Sequence, residues 1–84
     1  MKFSVDYTDA ANDTLAAAWL IAASRHAVTS AQNQIDASLA RDPRKFGKEV
    51  REGLWKIEVP PLAAYYEIDN AANLVTVTGF ALLP

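Results

Sequence analysis

The last third of the chain constrains the fold most. Trp55, Ile57 and Val59 alternate with Lys56 and Glu58; Ala64, Tyr66 and Ile68 share one face of a run from Leu62 to Asp69; Val75 and Val77 alternate with Thr76 and Thr78 in a run from Leu74 to Phe80. A period of two is the pattern of a half-buried strand. The intervening segments are short. Pro60-Pro61 cannot donate to a ladder and forces a turn or an edge, and Asp69-Asn70-Ala71-Ala72-Asn73 is rich in residues that bond their own backbone. Consecutive strands so closely joined pair antiparallel. The result is a three-strand meander with one apolar face that other elements must cover.

The first half supplies the cover. Lys2 to Tyr7 places Phe3, Val5 and Tyr7 on one side of a further strand. Thr8 or Asp9 then offers an N-cap, and a helix is expected from about Asp9 to Ala23. Its buried stripe is Leu15, Ala18, Trp19 and Ala22. Leu20 and Ile21 fall off that stripe and are available to a second surface. After a break at Ser24 to His26, a second helix runs to about Ala40, with Val28, Ala31, Ile35 and Leu39 inward; Asp42-Pro43 stops it. A short link between two amphipathic helices makes an antiparallel helix hairpin. The expected order is β-α-α-β-β-β: an α+β two-layer sandwich, one domain over residues 1–84, with the hairpin packed on an antiparallel sheet.

The chain has 84 residues and a net charge of −2, unevenly placed. Six of its eight basic residues lie between positions 41 and 56, while positions 57–84 hold none. A protein that binds nucleic acid over a broad face is usually basic overall, so a polyanion site here has to be local. Segment 41–53 shows no clear period and is expected as a loop, with one helical turn near Phe46. There are no cysteines, which removes disulfides and thiolate metal sites and favours a reducing compartment. The most apolar stretch, Leu15 to Ala23, is too short to cross a bilayer. The expected location is cytoplasmic, with no membrane partner.

Specific residues now add to the pattern. The run Gly53-Leu54-Trp55-Lys56-Ile57-Glu58-Val59-Pro60-Pro61-Leu62-Ala63-Ala64-Tyr65-Tyr66-Glu67-Ile68-Asp69 with Leu74-Val75-Thr76-Val77, and Ile35 to Pro43 closing the helix hairpin, resemble the RelE/ParE toxin superfamily of type II toxin–antitoxin systems. The resemblance spans essentially the whole chain. It implies a toxin-like component whose partner is a cognate antitoxin that wraps the helices and sheet. It further implies one of two targets: messenger RNA cut on the ribosome, as in RelE-like members, or DNA gyrase, as in ParE-like members.

RNA cleavage of this kind has a 2′-hydroxyl attack the neighbouring phosphate, so it needs a base, an acid and cations for the developing charge. RelE-like members place Lys and Arg on the central strands and end in a basic or aromatic tail. In this chain Lys56 matches the first of these positions. Ala63 stands where the family usually has an arginine, three residues before the tyrosine equivalent to Tyr66, and Gly79 to Pro84 carries nothing ionisable. The resemblance therefore implies an antitoxin-binding scaffold with a degenerate messenger-RNA-cleaving site.

The catalytic candidates that remain are Lys56 and Arg51. The candidate RNA- or partner-binding set is Arg44, Lys45, Lys48, Arg51, Lys56 and Tyr65. The basic residues form either a cationic rim or a solvated segment pairing locally with Asp42, Glu49 and Glu52. Tyr65 and Tyr66 point to opposite faces; Tyr66 belongs in the core, and Trp19 and Trp55 read as core anchors. His26 is the only histidine, and neither a metal nor a cofactor is called for. The apolar tail Phe80 to Leu83, with Leu20 and Ile21, would suit a homodimer or a non-toxic structural module.

Overall fold

The computed structural model describes residues 2–84. Strand β1 (Ser4–Tyr7) leads into helices α1 (Asp9–Ile21) and α2 (Arg25–Arg41), a single-turn α3 (Pro43–Phe46), and strands β2 (Lys48–Arg51), β3 (Leu54–Val59), β4 (Leu62–Asp69) and β5 (Leu74–Leu82). The strands form one sheet in the order β1-β5-β4-β3-β2. The expected meander β3-β4-β5 is antiparallel throughout.

Two features of the sheet differ from the expectation. β1 runs parallel to β5, with Ser4 opposite Leu74 and Tyr7 opposite Val77, so the sheet is mixed. The chain must cross the sheet through the whole helix hairpin to reach β2, and that long connection releases β1 from antiparallel pairing. Segment 41–53 is not a loop: besides α3 it contains β2, antiparallel to β3 at the sheet's edge. All four β2 residues are exposed, so no face had to be apolar and no period marked it. Its charges are the usual protection of an edge strand.

Local chemistry explains the helices. The Thr8 hydroxyl oxygen accepts from the Ala11 N–H at 3.0 Å and caps α1; Ser24 caps α2 through the Ala27 N–H at 3.2 Å. Asp42 serves both neighbours. Its N–H bonds to the Ser38 carbonyl at the end of α2, its carboxylate accepts from the Lys45 N–H at 3.2 Å, and Pro43 takes the first position of α3.

The helices cover one face of the sheet. Rows of inward residues run across the strands, such as Trp55–Tyr66–Val77–Tyr7 and Ile57–Ala64–Phe80. Val28, Ala31, Ile35 and Leu39 of α2 are all buried against them, as their spacing predicts. Each such aliphatic side chain contributes roughly 1.5–3 kcal/mol relative to exposure, less for Ala31. α1 corrects the expectation for Trp19. Its buried residues are Ala11 and Ala18, with Leu15 and Ala22 partly buried, whereas Trp19 is 39 % exposed with the Arg25 guanidinium 4.5 Å over its ring. Trp19 lies one residue, about 100°, round the helix from Ala18, and the narrow alanine face takes the contact with β5. Trp55 is half-buried and stacks on Tyr66 at 6.4 Å. Tyr66 is fully buried.

Candidate functional site

The other sheet face has no helix on it. Lys48, Lys56, Tyr65 and Gly79 form a row across β2, β3, β4 and β5, since directly paired residues point to the same side. A second row, Glu58, Ala63 and Ala81, lies two residues along. A hollow of about 650 Å³ opens beside them, lined by Phe46, Gly47, Lys48, Glu49, Val50, Lys56 and Glu58.

The position of β2 depends on a buried lock. The Tyr66 hydroxyl, reaching through the core, donates to the Pro43 carbonyl at 2.5 Å. Burial pushes its pKa up to about 12, so it stays a donor at any ordinary pH. The chain then passes so close that a Cβ at Gly47 would lie 1.5 Å from the Tyr66 hydroxyl. The missing side chain at 47 lets α3 turn directly into β2, which sets Lys48 opposite Lys56. Gly53, at φ 81°, supplies the left-handed residue of the β2–β3 turn.

The predicted set divides. Lys48 and Lys56 come together as cross-strand partners, and the Lys56 ammonium lies 5.8 Å from the Tyr65 ring. Lys45 sits over Phe46, at 5.6 Å, on the rim of the hollow. Arg51 closes β2 opposite Leu54. Arg44 is held elsewhere: it donates to the Asn70 side-chain oxygen at 2.7 Å and lies 6.0 Å from the Trp55 ring. Among the described residues the only ion pair is Lys56–Glu58 at 2.8 Å. The local pairing considered for the basic segment is absent there, because Asp42 caps α3 and Glu49 accepts from the Gly53 N–H. Glu58 is the residue that sequence reasoning missed. The signal was its i, i+2 spacing from Lys56 on one strand.

The Glu58 hydrogen bond is the main cause that holds the Lys56 ammonium above the ordinary lysine pKa. Lys56 is held as a cation that donates to Glu58. The face can attract an anion through Lys48 and Lys56 and offer the Tyr65 ring for stacking. The carboxylates of Glu49 and Glu58 oppose any phosphate that enters. Ala63, at 1 % exposure, contributes no polar group to the floor.

A second polar cluster lies between the layers. Tyr7 donates to Asp36 at 2.5 Å and accepts from the Gln32 amide at 3.3 Å. Burial is the main cause that raises the pKa of both Tyr7 and Asp36. The three tie β1 to α2. Among the described residues no group of three His, Cys, Asp or Glu side chains is placed to hold a metal, and no helix is long and apolar enough to cross a membrane.

No family profile matches the sequence, and no curated protein matches it. Solved structures do. The toxin–antitoxin complex RelBE2 from Mycobacterium tuberculosis aligns over 98 % of this chain and 99 % of that one, with a TM-score of 0.81 and 17 % identity. The chain has a RelE/ParE toxin-like fold. The chromosomal ParDE system of P. aeruginosa aligns over 99 % and 98 % of the two chains (TM-score 0.70, 10 % identity). The intact E. coli RelBE complex aligns over 98 % of each (TM-score 0.67, 14 % identity). At such identities the shared property is the fold.

Proposed function

We propose that the chain is the toxin-like component of a type II toxin–antitoxin system and that its principal act is to bind a cognate antitoxin. The observation that carries this reading is the likeness to toxin–antitoxin structures over 98 % or more of this chain. The exposed β2 edge and the Lys45–Lys48–Lys56 side of the sheet suit an acidic segment of such a partner, since these three cations gather there in a chain of net charge −2. The messenger-RNA-cleaving site of the fold is degenerate in this reading. Lys56 is committed to Glu58, Ala63 offers no cation, and the tail has no ionisable group. The protein acts in the cytoplasm as one domain. Induction without the neighbouring reading frame should leave cellular messenger RNA intact; cleavage at defined codons would contradict the degenerate site.

The row Lys48–Lys56–Tyr65 favours a second reading, a ribosome-dependent ribonuclease. In that case Lys56→Ala combined with Arg51→Ala should lower cleavage at least a hundredfold, about 2.7 kcal/mol of transition-state stabilisation. Unchanged cleavage would exclude these residues.

A further inference from the structure

The exposed surface of α1 is a ridge flanked by two grooves. Its crown is Asp9, Asp13, Ala16, Ala17 and Leu20, all exposed, with Leu20 65 % accessible. A groove runs along each flank. On the α2 side it is lined by Leu15, Trp19, Thr29 and Gln32 among others, with a volume of about 410 Å³. On the β5 side it is lined by Thr14, Ile21, Ala81 and Leu82 among others, and it continues into a hollow of about 520 Å³ between Ile21, Pro61 and Leu83. None of the lining residues carries an ionisable side chain. Nineteen of these residues are exposed or partly exposed, Ala18 and Phe80 being buried. A stable interface takes about 20–30 residues a side.

Shape and charge along the helix select the occupant. Bulk is concentrated at the C-terminal end, in Trp19, Leu20 and Ile21, which are 39 %, 65 % and 75 % exposed. The middle is short, in Ala16 and Ala17. Two such helices crossing antiparallel at Ala16 and Ala17 set the bulky end of each into the grooves of the other, and small residues at the crossing permit close approach. Charge is arranged in the same sense. Asp9 and Asp13 mark the N-terminal end, and Arg25 stands just past the C-terminal end. None of these three has an ion-pair partner among the described residues. α1 is about 20 Å long, and an antiparallel crossing brings the acidic end of each copy toward Arg25 of the other. A parallel one opposes like charges. We infer that the chain forms a two-fold homodimer through α1, with Leu20 and Ile21 as the anchors and Asp9, Asp13 and Arg25 fixing the antiparallel sense.

Sedimentation equilibrium of the isolated full chain tests this. The wild type should weigh twice its monomer mass at tens of micromolar. Leu20→Glu and Ile21→Asp should each weaken association at least a hundredfold, and at concentrations where the wild type is monomeric their unfolding midpoints should be close to wild type, because both side chains are exposed in the monomer. The charge reversals keep the test specific to the antiparallel sense. Arg25→Glu alone and Asp9→Lys/Asp13→Lys alone should each self-associate about tenfold more weakly, and an equimolar mixture of the two should recover the wild-type affinity as a heterodimer. A strict monomer up to several hundred micromolar would overturn the inference. So would a dimer insensitive to Leu20→Glu, or a mixture no tighter than its components. If the wild type is monomeric and Leu20→Glu instead abolishes capture of the antitoxin, the ridge belongs to the antitoxin and the inference is wrong while the proposed function stands.

Discussion

At the scale of single residues, Gly47 carries more of the site than any charged side chain. It has no catalytic chemistry to offer, yet its missing Cβ is the space in which the Tyr66 hydroxyl reaches Pro43. Gly47→Ala cannot be relieved by a flexible tip, because the ring carbon behind the hydroxyl would also be only 2.7 Å away. Over-packing of this kind costs about 1–3 kcal/mol, and displacing the buried hydrogen bond adds about 1 kcal/mol or more. Urea unfolding of Gly47→Ala should show a loss of about 3 kcal/mol; a loss under about 0.5 kcal/mol would refute the lock. Asp36 gives a pH signature. Its pKa is raised in the folded state, so folding takes up protons near that pKa, and the stabilisation present below the unfolded value of about 4 is lost as pH rises through the folded one. Asp36→Asn removes that loss while keeping an oxygen for Tyr7. Its melting temperature should exceed wild type at pH 7, and the gap should close below about pH 4. A gap that does not vary with pH would show that burial of the carboxylate is not what shifts it.

At the scale of elements, the contact between α1 and β5 does more than bury alanines. β1 ends at Tyr7, opposite Val77, while β5 continues to Leu82, so the β1 side of β5 would be left with bare amides. α1 completes it. The Thr8 N–H donates to the Val77 carbonyl at 3.0 Å, and the Phe80 N–H donates to the Thr14 hydroxyl at 2.9 Å, which in turn donates to the Ala11 carbonyl. Thr14→Val keeps the shape and removes that acceptor, leaving the Phe80 N–H unpaired. The expected cost is about 1–3 kcal/mol, with faster hydrogen exchange at Phe80 as the direct readout; unchanged exchange there would contradict the tie. Which elements were legible follows from the same physics. The meander and α2 each bury one face and leave the other in water, so period 2 and period 3.6 stood out in Ile57, Tyr66 and Val77, and in Val28, Ile35 and Leu39. β2 buries neither face and left no period. Trp19 misled because size suggested burial, whereas the close α1–β5 contact admits only the small Ala11 and Ala18.

At the scale of the whole molecule, the fold was legible from element order and a few residue runs, while the site was legible only as a list. The charges between positions 41 and 56 are adjacent in sequence but part in space. Lys48 and Lys56 meet across β2 and β3, and Arg44 turns away to Asn70. That division depends on β2, the strand with no period, and on Glu58, whose pairing with Lys56 needs the pleat to be known. The toxin-like fold leaves one sheet face without a helix, and on it Lys48, Lys56 and Tyr65 stand in a row. Antitoxin binding is the act proposed for this chain, and co-expression of the tagged chain with the product of the adjacent reading frame, followed by affinity capture and titration calorimetry of the separated partners, tests it. The expected result is a stoichiometric complex with a Kd in the nanomolar range, weakened at least tenfold when Lys48 and Lys56 are both changed to glutamate. Recovery of the folded chain alone, with no heat of binding at micromolar concentrations of the neighbouring product, would contradict it.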